Sequence, residues 1–91
     1  MSETAKHIIF TGQVQGIGFR FTAFNIANRY QLIGLVRNLT DGSVEMLVQG
    51  ADDDINNCIK EIEESFGGYI RETNIKEVPH DPQHKDFKIT F

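Results

Sequence analysis

The chain has 91 residues, 40% of them hydrophobic and 24% charged, with a formal net charge of -4 and a pI near 5.2. That length suits one domain over residues 1–91 with a modest core. The acidic balance argues against non-specific binding to nucleic acid or to an anionic membrane, both of which need a positive field. No apolar run approaches the ~20 residues of a membrane span, and the opening segment Met1 to Lys6 lacks the apolar stretch of a signal peptide. The one cysteine, Cys58, allows no internal disulfide, so the sequence reads as cytoplasmic.

His7 to Gln13 is rich in β-branched and aromatic residues and reads as a first strand. It runs into Gly12-Gln13-Val14-Gln15-Gly16-Ile17-Gly18-Phe19-Arg20, from which a helical pattern emerges over Phe21 to Leu32. Ala23, Ile26, Ala27 and Tyr30 give that helix one apolar face. Gly34 breaks the pattern, Leu35 to Thr40 reads as a second strand, and Asp41-Gly42 is a hairpin turn signal. Ser43 to Gln49 alternates, with Val44, Met46 and Val48 facing the core and Glu45, Leu47 and Gln49 facing away. Asp52, Asp53 and Asp54 stand where acidic residues cap a helix and complement its dipole. Ile55, Ile59, Ile62 and Phe66 mark the apolar face of that helix, and Gly67-Gly68 stops it. Tyr69 to Val78 reads as a strand interrupted by Asn74 and charges. Pro79 to Gln83 is a loop, and Phe87, Ile89 and Phe91 alternate as a closing strand. The order is β-α-β-β-α-β with a short extra strand. That predicts an α+β, ferredoxin-like split βαβ sandwich, an antiparallel sheet with both helices on one face.

The glycine-rich stretch carries the chemistry. Glycines open backbone conformations closed to other residues, so several N–H groups can converge on one point. A helix N-terminus adds the positive end of its dipole there, and Arg20 adds a planar cation suited to phosphate. No Gly-Lys-Ser/Thr closes the loop as in a nucleotide P-loop, and Phe21 stands where a dinucleotide fingerprint needs its third glycine. By itself the loop also suits a tight strand-to-helix turn with an exposed arginine. Asn38, on the second strand, can approach this loop, and an amide offers a donor and an acceptor with which to orient a water. A turn asparagine bonding its own backbone is the competing assignment. Arg37 differs in parity and should be solvated on the other face of the sheet.

Two signatures in order, Gly12-Gln13-Val14-Gln15-Gly16-Ile17-Gly18-Phe19-Arg20 and Gly34-Leu35-Val36-Arg37-Asn38 followed by Gly42-Ser43-Val44 and Gly50, give the chain its affinity. From His7 to Phe91 it resembles the acylphosphatase family. The resemblance places the catalytic arginine on Arg20 and the catalytic asparagine on Asn38. The phosphate-binding loop falls on Gln15, Gly16, Ile17, Gly18, Phe19 and Arg20. It implies hydrolysis of the carboxyl–phosphate bond of acyl phosphates, a small-molecule substrate, without a metal or cofactor; the family's domains also occur within larger carbamoyl-transfer maturation proteins, but the free-standing chain suits an independent hydrolase, and its small size and lack of a coiled-coil pattern predict a monomer. It also implies that the water's proton passes to the substrate's own phosphate, which fits motifs holding no carboxylate or histidine base. Two positions depart from the family pattern: Leu35 replaces an aromatic residue, with looser packing beside the site expected, and Gln31 replaces a glycine that closes the first helix.

Other assignments are weaker. His7, His80 and His84 are scattered without ligand spacing, and no Cys-x-x-Cys pair exists for a metal carrier. Cys58 adjoins an apolar face and has no cation or histidine beside it in sequence, so it reads as a small core residue. Phe19, Phe21 and Phe24 cluster near the loop as core, with Phe19 also able to fix the loop. RNA recognition on this topology would need exposed aromatics on the central strands and a basic face. A non-catalytic phosphate- or small-anion-binding module of the same fold is the principal alternative.

Overall fold

The computed structural model describes residues 3–91, so Met1 and Ser2 of the opening segment lie outside the described residues. Seven elements follow in order: β1 (Glu3–Gly12), α1 (Phe19–Arg29), β2 (Ile33–Asn38), β3 (Val44–Ala51), α2 (Asp52–Ser65), β4 (Ile70–Val78) and β5 (Phe87–Ile89). They form one five-stranded sheet in the order β4-β1-β3-β2-β5. This is the expected α+β sandwich. Val44, Met46 and Val48 of β3 and Ile8 and Phe10 of β1 are fully buried with Ala23 and Ala27 of α1 and Ile55, Cys58 and Ile62 of α2. Burying a side chain of this size stabilises by about 1.5–3 kcal/mol, so this one face supplies the main driving force.

The sheet is mixed rather than wholly antiparallel. β5 lies beside β2 and runs parallel to it, with Gly34 opposite Phe87 and Val36 opposite Ile89. The physical cause is the connection. β4 and β5 occupy opposite edges, so residues 79–86 must cross the sheet. Gln49 of β3 anchors that crossing, donating to the Asp81 carbonyl at 3.0 Å and accepting from the Asp81 N–H at 2.6 Å. Gln49 is therefore buried, 3% exposed, on the face where alternation alone predicts solvent. Glu45 on that face is also half-buried, bridging His7 at 2.8 Å and Arg37 at 2.5 Å. Arg37 does turn away from the core, as its parity predicts, and is exposed.

Both helices begin differently from their sequence expectation. α1 starts at Phe19 rather than Phe21, because Gly18 takes φ 80 and caps it in the left-handed region. It ends at Arg29, three residues before Leu32. The Gln31 N–H bonds the Asn28 carbonyl and the Leu32 N–H bonds the Ala27 carbonyl, both at 3.0 Å, which is a Schellman closure. Gln31 itself sits at φ 57. In α2 the three aspartates do not cap by side chain. Ala51 is the cap residue, and Asp52, Asp53 and Asp54 fill the first turn, where their negative charge complements the positive end of the dipole. Asp52 also accepts from Thr4 Oγ1 at 3.2 Å and pairs with Lys6 at 3.4 Å, tying the helix start to β1.

Candidate active site

The connection from β1 to α1 is held at three points. Val14 is fully buried. The Gln15 amide nitrogen donates to the Leu39 carbonyl at 2.7 Å and to the Ser43 carbonyl at 2.9 Å, tying the loop to the turn that follows β2. Phe19 is 2% exposed and packs between Phe10 at 5.0 Å and Phe66 at 4.7 Å, centroid to centroid. Between these anchors Gly16 and Gly18 take φ 79 and 80, and a Cβ on either would meet open space. The requirement at both is conformational, not steric. Among the described residues, no protein acceptor takes up the backbone N–H groups from Gln15 to Phe21; the first bond of α1 is Thr22 N–H to the Gly18 carbonyl at 3.1 Å.

The two helix starts differ electrostatically. α2 carries three aspartates in its first turn, whereas α1 has no acidic residue there and no side-chain cap. The positive end of the α1 dipole is left uncompensated by the protein, with Arg20 in the same turn. That is the arrangement of an anion site.

A cavity of about 270 Å³ opens at this point. Gly16, Gly18, Phe19 and Arg20 line it from the loop and α1, Asn38 from the end of β2, and Ile89 and Phe91 from β5 and beyond. Arg20 is the one charged side chain in that lining. Its Nη1 donates to the Thr90 carbonyl at 3.2 Å, and its guanidinium lies 4.9 Å from the centre of the Phe91 ring. The Thr90 N–H in turn bonds the Val36 carbonyl at 2.9 Å. Because β2 and β5 are parallel, they end together, and this brings Asn38 and Thr90 to the same rim.

Asn38 is half-buried and its amide makes no protein hydrogen bond among the described residues. The competing assignment, a turn asparagine bonding its own backbone, is therefore not what the structure shows. Asp41 does that work instead, accepting from the Ser43 N–H at 2.9 Å and the Ser43 hydroxyl at 2.5 Å. Those bonds hold the Asp41 carboxyl below its ordinary pKa.

Of the residues singled out in sequence, Gly16, Gly18, Phe19, Arg20 and Asn38 line one cavity; Gln15 and Ile17 do not. Gln15 acts as the brace just described, and Ile17 is 37% exposed on the loop surface. Gly12 and Gln13 belong to a larger cleft of about 560 Å³ that also takes in Asp41, Ser43 and Arg71 and shares no lining residue with the Arg20 cavity. Sequence reasoning did not find Thr90 and Phe91 at the site. No local pattern carries that signal, because it arises from the edge pairing of β5. Phe21 and Phe24 are not core in the expected way: Phe21 is 64% exposed at the cavity mouth, and Phe24 is half-buried against Phe87.

Among the described residues no group of three histidine, cysteine or carboxylate side chains is placed to hold a metal ion, and no helix is long and apolar enough to cross a membrane. Cys58 is buried, and burial pushes its thiol up to about 12. That disfavours the nucleophilic thiolate.

A family model described as Acylphosphatase matches residues 6–89. The chain belongs to the acylphosphatase family. The acylphosphatase of Chlorobaculum tepidum is 34% identical over 90 residues, 98% of either chain. That of Bifidobacterium longum is 44% identical over 57 residues, a match covering 63% of this chain and 59% of that one. Among solved structures, acylphosphatase from Bacillus subtilis superposes with a TM-score of 0.87 at 25% identity, covering 99% of this chain and 100% of that chain.

Against the acylphosphatase pattern, the two departures noted in sequence fall in different places. Gln31 occupies a position with positive φ, where a glycine is favoured. Leu35 pairs with Leu47 and does not line the Arg20 cavity, so it is not placed to loosen the packing of that lining.

Proposed function

We propose that this member of the acylphosphatase family hydrolyses acyl phosphates to a carboxylate and inorganic phosphate, with Arg20 and the loop Gln15 to Arg20 holding the phosphoryl group and Asn38 orienting the attacking water. One observation carries the reading. A free amide on β2 and a guanidinium on α1 line the same small cavity, at a helix start whose dipole and N–H groups the protein leaves unanswered.

The chemistry fits this lining. A carboxylate leaves without needing a general acid. Phosphoryl transfer needs positioning and charge stabilisation more than covalent help. Arg20 and the loop N–H groups supply donors for the equatorial oxygens as charge redistributes. The Thr90 carbonyl and the Phe91 ring restrain the guanidinium, so part of its ordering cost is met before substrate arrives. The Asn38 amide can accept from a water and direct its lone pair in line. No carboxylate or histidine side chain among the described residues lines the cavity to act as base, so on this reading the water's proton goes to a phosphoryl oxygen of the substrate. The reaction on this reading needs no metal. Residues 1–91 act as one domain, and the protein works as a cytoplasmic monomer.

The test is phosphate release from benzoyl phosphate in excess chelator by wild type, Arg20→Ala and Asn38→Ala, each verified as folded by circular dichroism. Removing a comparable oxyanion donor costs on the order of a hundred- to a thousandfold, and Arg20→Ala is expected in that range. Asn38→Ala should lower kcat more than it raises KM. Inorganic phosphate binding by folded wild type without any turnover would favour the non-catalytic anion-binding module instead.

A further inference from the structure

The phosphoryl end of a substrate is accounted for by Arg20, Asn38 and the loop, but the acyl end must lie somewhere at the mouth of the same cavity. We infer that Phe21 and Phe91 form an apolar acyl subsite that makes the enzyme selective for aromatic and longer aliphatic acyl phosphates over acetyl-sized or anionic ones. This inference rests on the acyl phosphate reading of the Arg20 cavity.

Three observations support it. First, the exposed large hydrophobic residues are not scattered. Of the five among the described residues, Phe21 and Phe91 line this cavity and Ile17 sits on its loop. Isolated exposed apolar side chains are ordinary, but a cluster around a polar pocket marks a binding surface. Second, the two rings are largely uncovered, at 64% for Phe21 and 95% for Phe91, so both have apolar area that a ligand can bury. Phe21 follows Arg20 directly in the first turn of α1, where a solubility-driven surface would place a polar residue. Third, the rest of the lining offers an acyl group no polar side chain. Apart from Arg20 and Asn38, both committed to the phosphoryl end and the water, the side chains are aliphatic, aromatic or glycine. A second carboxylate on the acyl group would find no cation besides Arg20, which the phosphoryl group takes up, and a methyl group is too small to cover either ring.

The experiment measures kcat/KM for benzoyl phosphate, acetyl phosphate and succinyl phosphate with wild type, Phe21→Ala and Phe21→Leu, with inorganic phosphate as a competitive inhibitor of each. Comparing ratios between variants cancels the different intrinsic reactivities of the substrates. Ring–ring contact predicts that Phe21→Ala lowers the benzoyl-to-acetyl ratio by about five- to tenfold. Phe21→Leu should retain much of it, and the phosphate inhibition constant should not move. Phe21 is exposed, so its truncation leaves the core intact, and circular dichroism checks the fold. A benzoyl-to-acetyl ratio or a benzoyl-to-succinyl ratio that folded Phe21→Ala leaves unmoved overturns the subsite and leaves the enzyme assignment standing. No turnover of any of the three by folded wild type overturns the enzyme assignment, and the subsite with it.

Discussion

Gln31→Gly should stabilise this protein without changing its catalysis. Gln31 is exposed and holds φ 57 as the residue that closes α1, with Leu32 behind it bonded back to Ala27. A side chain in the left-handed region costs about 1–2 kcal/mol. Glycine removes that cost but loses about 0.4–1 kcal/mol through the greater freedom of the unfolded chain. The balance favours glycine by about 0.5–1 kcal/mol, which for a chain this size is a rise in Tm of about 2–8 °C. Gln31→Ala serves as the control. Alanine keeps the Cβ and therefore the strain, so it should stay near wild type. Thermal and urea denaturation at neutral pH would measure all three. The kcat should be unchanged, because the 11-residue helix separates Gln31 from the phosphate loop by about 16 Å at 1.5 Å per residue. Should glycine leave Tm unmoved or lower it while alanine matches wild type, the strain argument for this closure fails.

Two further outcomes follow from the site and its surroundings. Gln15→Met keeps the length of the side chain but removes both donors to the Leu39 and Ser43 carbonyls. Stability should fall by about 1–2 kcal/mol, and kcat by on the order of tenfold or more as the loop shifts against Asn38; full activity in this variant would show that the brace does not set the geometry. The third outcome concerns acid stability. Burial works to raise the Glu45 pKa, but the bonds from His7 and Arg37 outweigh it and hold the carboxyl below its ordinary value of 4.5. A depressed folded-state pKa gives stability that is present above the unfolded value and lost as pH falls through the folded one. Urea midpoints should therefore decline on acidification below about pH 4.5, and Glu45→Gln should be less stable at neutral pH with a shallower decline; an equally steep decline would assign the acid limb to Asp41 and Glu61, whose carboxyls are also held low.

The sequence alone determined most of the elements and named the residues of the proposed site, because both are encoded locally. Apolar periodicity of 2 or 3.6 reports which face of a strand or helix is buried, so Val44, Met46 and Val48 and the α1 face at Ala23, Ile26 and Ala27 were legible without coordinates. The glycines at 16 and 18 and the cation at Arg20 lie within five residues, so the proposed anion site at that turn could be read directly from the chain. Helix ends were less legible. Whether Gly18 or a later residue starts α1, and whether Gln31 can close it, depends on φ values that packing enforces. Asn38 had two physically reasonable fates in sequence; in the structure it lies at the end of β2 beside the Arg20 cavity, and Asp41 takes the turn bonds. What only the tertiary structure decided is the far wall of the site. The strand Phe87–Ile89 is three residues long, and no local pattern says which edge it joins or in which direction. Crossing the sheet over Gln49 makes it parallel to β2, so both strands end at one rim. That is why Thr90 holds the guanidinium of Arg20, 70 residues away in sequence, and why Phe91 faces the cavity that Phe21 borders. Such contacts arise from long-range pairing energy summed over a whole sheet, which no window of sequence contains.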